Sequence, residues 1–118
     1  MGQNKELQRH QNFILHIINQ LLIEVKSINF EDFQRNEQLK ERVYTQLQEI
    51  GQASNEILTL PNVNIENRNI YENMANLRNA RYNQETEIDH SFVWNILTSD
   101  LPEIEILLER TIEPVEED

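Results

Sequence analysis

The sequence predicts an all-α fold, an antiparallel bundle of four to five helices, and three observations lead there. Only 2 Gly and 3 Pro punctuate 118 residues, too few turn residues for a sheet protein of this size. Two long stretches carry apolar residues at helical spacing. Hydrophobic residues are 38% of the chain, and Ile, Leu, Val and Phe dominate them, so one bundle-sized core can offset the chain entropy. The length suits one domain, residues 1–112, followed by an acidic tail at 113–118.

A first long helix is expected over residues 7–28, where Leu7, Ile14, Ile18, Leu21, Val25 and Ile28 share a stripe that Ile17 and Leu22 widen. Asn29 can cap a short turn, 30–33, whose Phe30 and Phe33 face the same way and close one end of the core. A second long helix follows over 37–58, with Leu39, Val43, Leu47, Ile50 and Ile57 on one face; Gly51 and Ala53 lie where another backbone could approach. Pro61 and an Asn-rich stretch end it. Asn69 and Glu72 have the spacing of a capping box, which starts a third helix near Ile70. That helix buries Ile70, Met74 and Leu77, with Arg81 in the same angular sector and Arg78 beside it. Residues 82–89 lack a helical period and read as a loop. Residues 90–98 and 102–112 form one final helix, or a pair broken near Asp100, with Pro102 suited to a first helical turn.

Ten Lys+Arg against 21 Asp+Glu give a net charge of −11, which excludes a general nucleic-acid coat protein, because polyanions are repelled unless the cations are gathered in one place. The absence of cysteine removes disulfide frameworks, thiolate metal sites and cysteine nucleophiles, and a cytoplasmic protein is the easiest fit. Residues 1–11 are polar, and the apolar run 13–25 is interrupted by His16, Asn19, Gln20 and Glu24, so neither secretion nor membrane association is expected. Asn and Gln are abundant but dispersed, which fits solvated helix faces better than a prion-like tract.

Generic chemistry is sparse. His10 and His16 fall on different helix faces and His90 is remote in sequence, so no metal site is expected. Glu103, Glu105 and Glu109 read as a solvated acidic face. No Gly-rich phosphate loop or nucleophile elbow occurs, and no cofactor is implied. The exception is a cluster of cations: Arg68, Arg78 and Arg81 are opposed between them only by Glu72 and could hold one phosphate group. Alternatively, Arg78 pairs with a carboxylate at the core edge and Arg81 snorkels out of the apolar stripe.

Four strings stand out in order along the chain: Phe30-Glu31-Asp32-Phe33; Val43 with Leu47, Ile50, Gly51 and Ala53; Leu77-Arg78-Asn79; and Val93-Trp94 followed by Asp100-Leu101-Pro102-Glu103. In this order they resemble the HepT-like proteins, a branch of the HEPN (higher eukaryotes and prokaryotes nucleotide-binding) superfamily. The resemblance covers most of the chain. It implies a helical bundle that pairs into a homodimer, and a metal-independent ribonuclease that acts as toxin beside a minimal nucleotidyltransferase antitoxin, with RNA at the dimer cleft. The family motif is Arg, Asn, three variable residues, His, one variable residue, Tyr. In that chemistry the imidazole takes a proton from a ribose 2′-OH while the guanidinium stabilises charge growing on the phosphate.

This chain departs from the motif. Arg78 and Asn79 match, but the His position holds Asn83 and the Tyr position Glu85, and the distance from Arg78 to Val93-Trp94 keeps His90 out of the register. An amide has no proton to exchange near neutral pH, and loss of a general base costs roughly 10²- to 10⁴-fold in rate. Glu85 is a conceivable substitute base, but a carboxylate with a reference pKa of about 4.3 gives little driving force. Thr45, Gln48 and Gln52 occupy second-helix positions where relatives often carry Arg and Glu, and Arg81 stands where they usually place an aliphatic residue. The resemblance thus implies an impaired ribonuclease with Arg78, Asn83 and Glu85 at the motif positions and Arg68, Arg78 and Arg81 facing RNA; the alternative is a non-catalytic module that dimerises and docks a nucleotidyltransferase. Tyr82, three positions before the motif Tyr slot, is a further candidate for nucleotide modification.

Overall fold

In a computed structural model of the chain, residues 5–79 and 90–112 are described. Arg81, Tyr82, Asn83 and Glu85, the expected loop at 82–89 and the expected acidic tail at 113–118 lie outside them. All the regular structure among the described residues is helical, as the sparse turn residues predict.

Helix α1 spans Lys5–Lys26 and buries Ile14, Ile17, Ile18, Leu21 and Val25, a stripe that only a 3.6-residue period can place on one side. Helix α2, Phe30–Arg35, is capped as expected by Asn29: Asp32 N–H donates to Asn29 Oδ1 (2.8 Å), and Asn29 N–H donates to Asp32 Oδ2 (3.2 Å). Helix α3, Glu37–Leu58, starts where the Asn36 carboxamide accepts from Leu39 N–H at 3.0 Å. It forms the spine of the molecule, packed on α1 along one side and on the following helix along the other.

Helix α4, Arg68–Ala75, departs from expectation at its start. Asn69 and Glu72 do not form the capping box. The helix begins earlier, at Asn67, which takes the left-handed conformation (φ 56°, ψ 44°) and makes no side-chain cap. The Asn67 carboxamide donates instead to Thr111 Oγ1 (3.1 Å), tying the loop before α4 to the last helix of the chain. Asn tolerates positive φ better than other residues with a side chain, so the local sequence permits this start and the tertiary bond selects it. Beyond Ala75 the helix tightens into a 3-10 turn, Asn76–Asn79.

Helix α5, His90–Asn95, runs without interruption through a wide π turn, Ile96–Asp100, into α6, Leu101–Thr111. The open choice between one helix and a broken pair is thereby resolved in favour of one. Pro102 has no N–H and its ring crowds the carbonyl of residue 98; the wide turn relieves this, and Leu101 N–H bonds back to the Ile96 carbonyl. Phe30 and Phe33 both meet Trp94 (ring centroids 6.1 and 5.4 Å apart), so the short helix α2 closes one end of the core as its spacing predicts. Gln11 donates to the buried Tyr71 hydroxyl at 3.0 Å and joins α1 to α4. Lys40, absent from the expected core, is buried with Nζ 3.6 Å from Glu37.

Candidate functional site

Arg78 is placed by main-chain packing. Gly51 lies in the middle of α3, and a Cβ built on it would stand 2.7 Å from Arg78 Cα and 2.7 Å from the Leu77 carbonyl carbon. The 3-10 turn therefore rests directly on α3 at a point where no side chain fits. The close approach expected of Gly51 is thus met by the residue that begins the Arg-Asn pair. The Arg78 side chain is half-buried and folds back along its own helix, with Nη1 donating to the Ala75 carbonyl at 2.7 Å.

Arg68, the other candidate cation among the described residues, does not gather there. Arg68 sits at the opposite end of α4, in an exposed pair with Glu72 at 3.4 Å, and the ten residues to Arg78 carry it at least about 15 Å away along the helix. Arg81 lies outside the described residues, as do Asn83 and Glu85, so the described part of the motif is Arg78 and Asn79.

His90 opens α5 and is held from two sides. Its Nδ1 and the Tyr44 hydroxyl share a hydrogen bond of 3.0 Å, and its ring meets Phe33 edge-on. Tyr44 precedes Gly51 by two turns of α3, which separates the His90 anchor from the Arg78 backbone by about 10 Å along that helix. The other histidines are dispersed: His10 Nδ1 lies 3.6 Å from Glu56 Oε1, and His16 is exposed. Among the described residues no group of three or more His, Asp and Glu is placed to hold a metal ion. No helix of the described residues is long and apolar enough to cross a membrane.

Beside the Arg78 turn lies a groove of about 510 Å³ that sequence reasoning did not find. Its floor is apolar, formed by Met74, Leu77, Val93 and Ile96 among others. Along one wall stand Asn73, Asn76 and Asn79, three carboxamides at intervals of three. Residues i and i+3 eclipse in a 3-10 turn, so Asn76 and Asn79 align and Asn73 continues the row one helical turn earlier. Phe92, 63% exposed, stands at the rim, and Tyr44 and Asp100 are further polar lining residues among those described. The repeated Asn was the legible signal; the opposing wall, from α5 and α6, has no local signature that points to it.

Within this geometry the Arg-Asn pair stands on a helix end fixed against α3, next to a groove with mixed apolar and amide lining. No curated protein and no solved structure matches the chain. A family model described as Ribonuclease HepT-like matches residues 14–111, from the first buried turn of α1 to the last residue of α6. That span takes in every helix that builds the core and the site, and the chain belongs to the HepT-like ribonuclease family.

Proposed function

We propose that this chain is the HepT-like member of a toxin–antitoxin pair in the cytoplasm, a metal-independent endoribonuclease by descent whose cleavage chemistry is impaired. The observation that carries the reading is the pairing of Arg78-Asn79 with Asn83 and Glu85 at the positions where the resemblance sets the motif His and Tyr. The guanidinium that would stabilise the developing phosphate charge is retained. The imidazole that would take the 2′-OH proton is gone, and Glu85 brings a negative charge to the same motif. Both changes oppose turnover.

The packing of Arg78 on Gly51 supports a scaffold that has kept its form, and with it the family's capacity to pair and to dock a nucleotidyltransferase partner. Exposed apolar side chains, Ile23, Ile106 and Leu107, are available for a second chain to cover. The alternative of a wholly non-catalytic dimerisation and docking module draws on the fold-back of the Arg78 guanidinium onto the Ala75 carbonyl, an orientation along its own helix.

Incubation of purified protein with RNA in excess EDTA tests the reading. The unmodified chain is expected to cleave slowly, and the combined Asn83→His and Glu85→Tyr replacement to raise the rate. Robust cleavage by the unmodified chain, abolished by Arg78→Ala, would falsify the impairment. Light scattering should give twice the 14.1 kDa of one chain; a monomer mass across micromolar concentrations would contradict the dimer. Intact-mass measurement after co-expression with a neighbouring nucleotidyltransferase reads out whether the chain gains a nucleotide, and fragmentation of the peptide containing Tyr82 reads out whether that residue carries it.

A further inference from the structure

We propose that the groove between α4 and α5–α6 takes an unpaired adenine base of RNA, stacked on Phe92 and read at its edge by the Asn73, Asn76 and Asn79 row. The inference rests on the reading of this chain as an RNA-directed protein and adds which part of the RNA it holds.

The groove is sized and lined for a flat, polar-edged ring. Its volume of about 510 Å³ lies in the range of small-ligand sites, about 300–1,000 Å³. The floor of Met74, Leu77, Val93 and Ile96 favours an apolar face, and the exposed ring of Phe92 offers a stacking surface at the rim. A carboxamide offers a donor and an acceptor side by side, which matches the N6 amine and N7 of adenine. Guanine presents two acceptors on that edge and is better served by Arg or Lys, neither of which is among the described residues lining the groove. Asp100 accepts from an exocyclic amine and repels phosphate.

These features also settle how an acidic chain holds RNA. With a net charge of −11, binding through many phosphate contacts is unfavourable, whereas a base can enter a groove without bringing its phosphate along. Arg78, flanked in the chain by the lining residues Leu77 and Asn79, is placed to meet at most one neighbouring phosphate. Binding should then depend only weakly on salt, with a log–log slope no steeper than about −1, since single strands show about −0.7 per phosphate neutralised.

The test measures binding without cleavage. Adenosine, guanosine, cytidine and uridine are titrated into ¹⁵N-labelled full-length protein, and 2′-O-methyl oligoadenylate and oligouridylate, which lack the attacking hydroxyl, are titrated by fluorescence anisotropy. Adenosine should shift the side-chain NH₂ signals of the Asn row, and the adenylate should bind at least about tenfold tighter than the uridylate, a single bidentate contact being enough for that. Phe92→Ala should weaken the adenylate about 5- to 150-fold, the range of one lost stacking contact, with Phe92→Trp restoring it. Asn76→Asp, which replaces the amide donor with a charge, should also weaken it. Equal binding of all four nucleosides, no binding of any, or an unchanged affinity in Phe92→Ala would overturn the assignment. So would conversion of a dimer to a monomer by Phe92→Ala, because a second protein chain would then be the occupant. None of these readouts requires turnover, so a failed groove and a failed nuclease reading give different results.

Discussion

The two sides of the 3-10 turn at Asn76–Asn79 differ in how much room they leave. On one side the main chain of Leu77 and Arg78 lies against Gly51, where an added methyl group already collides with backbone. On the other side Asn76 and Asn79 are exposed along an open groove. Arg78 is thus positioned by the rigid side, and the exposed side chains of Asn76 and Asn79 can vary on the open side with little consequence for folding. The family scaffold is thus held at this turn by main-chain packing on Gly51. The main chain that places Arg78 is under packing constraint, whereas the side chains of Asn76 and Asn79 are exposed.

The sharpest way to break this contrast is Gly51→Ala. In a helix interior that change ordinarily stabilises by about 1 kcal/mol, because Ala is the better helix former. Here the new Cβ meets main chain that cannot rotate away, and overpacking should reverse the sign, costing about 3 kcal/mol or more. Urea denaturation with an unchanged slope would read this as a lower midpoint. A stabilised protein would mean that the turn does not rest on α3.

A smaller effect is expected where α1 meets α4. Burial raises the Tyr71 hydroxyl above the ordinary tyrosine range, the charge of Glu66 adds to this, and the hydrogen bond from Gln11 opposes it. In the unfolded chain a tyrosine ionises near about pH 10, so above that pH the folded state retains a proton that the unfolded state has lost. The contribution is therefore fully present below about pH 10 and is lost as pH rises toward the higher folded value. Tyr71→Phe should cost about 1 kcal/mol at neutral pH through the lost Gln11 bond and flatten the alkaline limb of thermal stability. An alkaline limb that is unchanged in the variant would assign it to other groups.

The least effect belongs to exposed side chains. Asn76→Ala and Arg68→Ala should each shift stability by less than about 0.5 kcal/mol, the first because its carboxamide is exposed, the second because it breaks only an exposed ion pair. A loss in Asn76→Ala comparable to that in Gly51→Ala would erase the distinction between the two sides.

Much of this architecture was legible in the sequence. The bounds of α3 could be read because its apolar stripe is regular and Pro61 stops it. The close approach at Gly51 could be anticipated, although not that Arg78 would be the partner. Other features were hidden because they depend on residues far apart in the chain. The start of α4 looked like an Asn69–Glu72 box, yet Asn67 is held by Thr111, across the molecule. Lys40 violates the usual exclusion of charge from a core because Glu37, one turn earlier, lies beside its ammonium group. Pro102 was recognised as a helix-compatible proline, but its missing donor is accommodated upstream, in the π turn. The groove escaped notice for the same reason: its Asn row is local, while Tyr44, Phe92 and Asp100 come from other elements.

The central claim is that the fold still presents the motif arginine while the group that moves the proton is missing. Its most direct test is the pH dependence of single-turnover RNA cleavage in EDTA, compared among the unmodified chain, Asn83→His and His90→Ala. The account predicts a slow rate for the unmodified chain and, in Asn83→His, a gain of about 10²- to 10⁴-fold with an inflection near the imidazole reference of about 6.5. A fast rate in the unmodified chain, with that same inflection abolished by His90→Ala, would contradict it and make His90 the base.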